Sequence, residues 1–425
     1  MKIIKIIFFN MLILQYLNAI DAQLDIIRKN TIIPSISINV TNSSGNKILI
    51  NKIKTLIEKD LEISNHFVVK NNNIKINKIT DKTPFFNNKK LDLLLLISLE
   101  KSKIKNKNIV INTKLFDLNK KDIILNKKYI ISNINRYPFL SHKIAININD
   151  ILKAPSIKWM DRFVIFSRYT NAKKSEIVIS DYTLTYQKVV VKGGLNIFPK
   201  WADSEQSSFY YTTYSNRFPT LVKQNLYTSN TVNIISSPGM LVCSDVDYKS
   251  NKILLTMAPN GQADIYLFDT RSKIKQRLTK YSGIDVGGSF INDNKKIIFV
   301  SDRLGKVNIF SKRINDSGVE RMVYHGKNNS QASTHENYIV YSSRERDNEF
   351  GYNTFNLYLI STENDLLRRL TIKGSNKFPK FSKDGESILF TKNYKNKSYL
   401  GIIRLNYNKS FLFKLNAGKL QSIDW

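Results

Sequence analysis

From residue 156 onward the chain repeats one short word at a nearly constant interval. SIKW (156–159) opens the series and SIDW (422–425) ends it; between them stand PKW (199–201), CSD (243–245), GSF (288–290), AST (332–334) and PKF (379–381). Successive copies lie 42 to 47 residues apart. A period this steady requires that each repeat be one supersecondary unit packed against its neighbours. Every word but the last is followed by a second apolar run: RFVIFS, SFYYTT, KILLTM, KIIFVS, NYIVYS and SILFTK. A third run, clearest in ADIYLFD, VNIFSKR and FNLYLIS, precedes a fourth such as KQRLT or LRRLT. Four short strands in about 44 residues is the content of a β-propeller blade.

Turn residues separate the first and second runs. In FSKDGESILF, Asp384 and Gly385 supply the positive backbone angles of a tight hairpin, and Asp293-Asn294 and Asn251 stand at like places. Seven words delimit six intervals, so the ring needs strands from both ends of the repeat region. SIDW is therefore expected to supply the innermost strand of the blade whose other strands begin near Phe163. That closure removes two sheet edges otherwise open to fraying or association.

Before the repeats the texture differs. SISINV (35–40) alternates like a strand, and NKILINKIKTLIEKDLE (46–62) places Ile48, Ile50, Ile53, Leu56, Ile57 and Leu61 near helical spacing. LDLLLLISL (91–99) is apolar on both faces and reads as a central strand. NIVINTKLFDL (108–118) and DIILNKKYIIS (122–132) form a hairpin joined near NKKD, and residues 136–152, with Pro138 early, form a closing helix. The expected fold class is mixed: a small α/β domain over 23–152, then an all-β six-bladed propeller over 156–425 closed by the C-terminal strand.

Residues 1–22 order Lys2 and Lys5, an apolar run from Ile6 to Leu14 and small residues at Ala19 and Ala22. This is the layout of a cleavable signal peptide, the run being too short to span a bilayer. No later segment carries the roughly 18 consecutive apolar residues of a membrane helix. The expected mature protein is exported and not membrane-spanning.

The net charge of +32 invites a nucleic-acid or anionic partner, but the lysines are scattered among asparagine and isoleucine, which reads as solvated faces. The densest stretch, KSKIKNK (101–107), would share one face of an edge strand and protect it from aggregation. The single cysteine, Cys243, excludes an internal disulfide or a four-cysteine zinc site. No G-x-S-x-G elbow occurs, and the four histidines lack metal-ligand spacing. The glycine pairs 193–194 and 287–288 precede strands, not helices, and are turns instead of phosphate loops.

The best blades, FPKFSKDGESILF, IIFVSDRLGKVNIF and ADIYLFDTRSKIKQRLT, resemble those of the TolB family, the periplasmic propellers of the Tol-Pal cell-envelope system. The order of leader, small α/β domain and six blades is similar over essentially the full chain. The resemblance implies a monomeric periplasmic adaptor without cofactor, a binding protein and not an enzyme, supporting outer-membrane integrity and constriction at division. It implies that the propeller mouth holds Pal, the peptidoglycan-associated lipoprotein, and that the mature N-terminus binds TolA. Other outer-membrane or peptidoglycan-associated proteins are compatible partners; nucleic acid is not. Carried over, the Pal-binding residues are Met240, Leu241, Val242, Asp285, Val286, Ser330, Gln331, Lys377 and Phe378, in loops that precede innermost strands. The TolA segment begins Gln23, Leu24, Asp25, Ile26, Ile27 and Arg28 and runs to residue 30, where an edge strand added to a partner sheet or an ordinary first strand are both open. Cys243 stands where the family has proline, and Gly287-Gly288 where it has an acidic residue and proline. Two other classes remain: an exported enzyme for glycans or peptides using acids such as Asp203, Asp245 and Asp285, with room for a channel calcium, and a charge-driven anion-binding surface protein.

Overall fold

Alternation of apolar residues along Leu93–Glu100 organises the N-terminal region. Leu93, Leu95, Ile97 and Leu99 point into one apolar cluster with the helices, whereas Leu94 and Leu96 meet Phe116 on the other face. In the computed structural model, which describes residues 33–41, 46–71, 91–100, 109–215, 217–291, 293–344 and 354–425, this strand is the centre of five. The order is Val68–Val69, Ser35–Val40, Leu93–Glu100, Ile109–Asp117, Asp122–Ile131; the first three run parallel and the rest antiparallel. The leader, the 23–30 segment and KSKIKNK lie outside the described residues.

Two helices cover the sheet. Helix α1 (Lys47–Ser64) begins where the Asn46 side chain accepts hydrogen bonds from the backbone N–H groups of Ile48 and Leu49, and ends at Asn65 in the left-handed conformation. Helix α2 (Tyr137–Ile151) carries Pro138 in its first turn, where the missing N–H costs nothing. Ile50, Ile53, Ile57 and Leu61 of α1 pack with Leu140, Ile144 and Ile148 of α2 in the sheet's core.

The repeats form four-stranded antiparallel sheets. Their first strands are Asn196–Trp201, Leu241–Val246, Asp285–Ile291, Asn328–His335 and Ser375–Phe381, each followed by the apolar run that comes next in sequence. The last two sets share a single parallel bridge, Phe355 to Ser375, and so count as one eight-stranded sheet. The C-terminal strand Lys419–Asp424 pairs antiparallel with Val164–Asn171, Ile423 opposite Phe166, in a sheet completed by Lys174–Ser180 and Gln187–Val191. The opening word itself is no strand: Lys158–Asp161 makes one short 3-10 turn. Its Trp159 meets Trp425 of the final word edge-to-face, with centroids 5.4 Å apart, within one buried cluster.

The α/β region and the propeller sheets meet at a buried charged cluster. His142 of α2 contacts Asp60 of α1 through Nδ1 at 2.8 Å and Asp181, beyond the strand Lys174–Ser180, through Nε2 at 3.2 Å. Asp60, His142 and Asp181 are fully buried, and the Tyr182 hydroxyl donates to Asp60 at 2.5 Å. Burial alone would discharge the imidazole, but the carboxylates outweigh it and raise its pKa to about 10. Asp181 is correspondingly held below the usual carboxylate range, burial being outweighed by His142 and its hydrogen bonds.

His142→Gln leaves two buried carboxylates without their cation and is expected to destabilise by about 3–5 kcal/mol. Because the folded pKa of His142 is raised, its contribution is complete below about pH 6.5 and fades as pH rises through about 10. Asp181, with a depressed pKa, contributes above its ordinary value and loses that contribution in acid. Thermal unfolding from pH 7 to 10 should therefore fall more steeply for the parent chain than for the variant.

Candidate functional site

Five described first strands and the C-terminal strand surround one cavity of about 220 Å³. Its apolar lining is built from Phe198, Met240, Val242, Val286, Phe378 and Ile423. Lys200 and Lys380 line it as well, with Cys243 and Ser244.

A recurrent break in the strand ladder aims these side chains. Between paired residues Ile197 and Lys200, Val286 and Ser289, Ser330 and Ser333, and Lys377 and Lys380, two residues oppose one on the neighbouring strand. The first bulged residue is left-handed each time: Phe198 (φ 55°), Gly287 (φ 65°), Gln331 (φ 55°) and Phe378 (φ 52°). A bulge of this kind kinks the strand and redirects its side chains. Glycine accepts the conformation freely, but phenylalanine and glutamine do not, so three positions hold backbone strain at the cavity's rim. At Gly287 an added Cβ would meet nothing within 4 Å, which leaves the rim open there. The strands Leu241–Val246 and Lys419–Asp424 have a one-residue irregularity instead.

Deeper in, side chains tie neighbouring strands together. Asp424 accepts from Lys200 Nζ at 3.1 Å through one oxygen and from the Trp201 backbone N–H at 2.9 Å through the other. Lys200 also reaches Asp245 Oδ1 at 3.1 Å, and Asp245 Oδ2 accepts from Ser289 Oγ and the Phe290 N–H, both at 2.9 Å. Thr334 Oγ1 donates to the Phe290 carbonyl at 2.6 Å. Burial works against the Lys200 ammonium, but Asp424 and Asp245 override it and hold its pKa well above the ordinary value.

The family model of the TolB beta propeller domain matches residues 162–425. The Tol-Pal system protein TolB of Wolinella succinogenes is 46% identical over 426 residues, covering 99% of this chain and 100% of the relative. The chain belongs to the TolB family. The TolB protein of Helicobacter hepaticus is 45% identical over 96% of each chain. A crystal structure of TolB from Acinetobacter baumannii aligns at 19% identity with a TM-score of 0.76, covering 92% of this chain and 97% of that one. The shared fold is a β-propeller with a small N-terminal α/β region.

The resemblance to TolB selected nine mouth residues, and the strand geometry divides them. Met240, Val242, Val286, Gln331 and Phe378 line the cavity together. Leu241 is fully buried in an apolar cluster between sheets, its carbonyl accepting from Thr212 Oγ1 at 2.7 Å. Asp285 is also fully buried, and both its oxygens accept from Arg303 at 3.1 and 3.0 Å. Ser330 lies in the ladder opposite Ser342, and Lys377 rests over the Phe355 ring at 4.2 Å. Phe198, at the end of NIF (196–198), another of the loops before innermost strands that the resemblance marks, also lines the cavity, as do Pro199 and Lys380, which the resemblance did not mark. The Phe-Pro pair shared by residues 198–199 and 378–379 is the sequence signal for the first two.

The acids considered for chemistry are occupied. Asp203 accepts from the backbone and hydroxyl groups of Ser207 and Ser208 in a turn. Asp245 is bound to Lys200 and Asp285 to Arg303. Among the described residues no group of three His, Cys, Asp or Glu side chains is placed to hold a metal ion.

Replacing Phe198 tests the rim strain directly. Phe198→Gly and Phe198→Ala both remove the ring, but only glycine accepts the left-handed backbone, so the glycine variant should be the more stable by about 1 kcal/mol. Equal melting temperatures would show the backbone to be unstrained there.

Proposed function

We propose that this protein is a periplasmic adaptor of the Tol-Pal system that holds a Pal-type peptidoglycan-associated lipoprotein at the propeller mouth. The observation carrying this reading is the convergence of Met240, Val242, Val286, Gln331 and Phe378 on one cavity with a strained apolar rim. Buried apolar pockets ringed by polar groups are where binding energy concentrates in protein interfaces. Full-length likeness to proteins named as Tol-Pal system TolB supports the same assignment. The adaptor acts without catalysis, in support of outer-membrane integrity and division.

On this reading residues 1–22 direct export and are removed, and the segment from Gln23 to Arg28 engages TolA as an added strand. Residues 23–152 form the α/β domain and 156–425 a propeller of six blades, the strand Lys419–Asp424 closing the ring. The protein works as a monomer.

Titration calorimetry of the chain from Gln23 with the soluble domain of the same cell's Pal-like lipoprotein should give one-to-one binding. Val242→Lys and Val286→Lys, each placing a charge in the apolar rim, should weaken it at least tenfold, consistent with loss of a hot-spot contact. A well-folded sample that does not bind would remove Pal as the partner. For ring closure, deletion of residues 418–425 should lower the melting temperature by many degrees, because Val164–Asn171 loses its inner partner. An unchanged curve would dismiss closure by this strand.

A further inference from the structure

We infer that the mouth selects a partner segment carrying a carboxylate beside an apolar side chain, and that the Lys380 ammonium is the receptor for that carboxylate. The inference rests on the protein-binding reading of the mouth and adds the chemistry of what is bound.

Lys380 differs from the other charged groups of the cavity. Two lysines, Lys200 and Lys380, share the interior with two aspartates, Asp245 and Asp424, so formal charges balance. The bonds do not. Every oxygen of both aspartates already has a donor: Lys200 and the Trp201 N–H for Asp424, and Lys200, Ser289 and the Phe290 N–H for Asp245. Lys380 is paired through its backbone opposite Leu389, but its ammonium makes no hydrogen bond or ion pair among the described residues. A half-buried ammonium with no carboxylate bonded to it is open to an incoming carboxylate, which it can hold through a charge-assisted hydrogen bond.

The surroundings bias the occupant in the same direction. Lys380 lies on the strand Ser375–Phe381, and that strand and its neighbours also carry Lys377, Lys392 and Lys419, outside the cavity lining. Burial and Lys419 lower the pKa of Lys377, and burial and Lys373 lower that of Lys392, so the outer surface near this strand is cationic. An ammonium beside apolar walls is complementary to an acidic group next to an apolar one. The groups facing Lys380 are Lys200, Asp424, Asp245 and Cys243; burial first, then Lys200, lower its pKa to about 8. A bound carboxylate would raise that value, so complex formation near pH 8 takes up a proton.

The test uses a small probe and the protein partner. By NMR titration the chain should bind 3-phenylpropionate more tightly than the uncharged 3-phenylpropanamide, and Lys380→Met should abolish the preference. Lys380→Met removes an unpaired cation and is expected to melt no lower than the parent; Lys380→Gln serves as a second variant if it does. With the Pal-like domain, Lys380→Met should weaken binding about tenfold or more, as loss of one partner of a desolvated charge pair does. Calorimetry at pH 8 in buffers of different ionisation enthalpy should register uptake of about half a proton by the parent and none by the variant. Probe discrimination that depends on Lys380, in a chain that ignores the Pal-like domain, would uphold the receptor and reject Pal as its ligand. Pal binding with unchanged affinity and proton count in Lys380→Met would reject the receptor and leave the adaptor reading intact. Equal affinity for acid and amide in the parent would also overturn it.

Discussion

The pairing of Lys419–Asp424 with Val164–Asn171 is the contact on which the site depends. It brings Ser167 and Ser422, 255 positions apart, to a hydroxyl separation of 2.8 Å. Closing so long a loop is less costly than its length suggests, because the entropy rises only logarithmically with the number of residues. The register then places Asp424 against Lys200 and the Trp201 N–H, and Lys200 against Asp245. Without the last strand, Lys200 would lose one of its two carboxylates and the cavity its Ile423 wall.

At the rim the fold and the site make opposing demands. A regular ladder would alternate Phe198 and Phe378 with their neighbours and put no consistent apolar group at the opening. The two-against-one bulge re-aims them, but it requires left-handed backbone at residues that carry a Cβ. Three non-glycine residues at equivalent places have that geometry, so it belongs to the repeat and not to one accident of packing. The surrounding ladders are long enough to hold it: Asn196–Trp201 pairs with Ser208–Thr213 on both sides of its bulge. Strain maintained at a concave apolar opening is what a binding surface shaped before its partner arrives would show.

Local patterns made much of this legible in the sequence. The 42–47-residue period located each first strand, and alternation located Ser35–Val40 and the hairpin Ile109–Asp117/Asp122–Ile131 to within a residue. What could not be read was which side of the bulge a residue falls on. Leu241 and Asp285 are neighbours of Val242 and Val286, but a step of one residue along a strand reverses the face, so they point into the sheet packing. The lysine–aspartate belt and the His142 cluster were hidden for another reason. They join residues such as Lys200 and Asp424, or Asp60 and Asp181, from segments with no local signature of contact.

The same distinction explains why net charge says little about partners here. A total of +32 is dominated by side chains that remain in water, where screening reduces each one's influence beyond a Debye length of about 8 Å at physiological salt. Lys200 and Lys380 contribute only two of those charges, yet both line the cavity. Lys200 is consumed in holding strands together, and its two aspartates are saturated by doing so. The Lys380 ammonium makes no comparable bond among the described residues. A charge that lines the cavity without bonding to the fold is better understood through what enters the cavity than through what surrounds it.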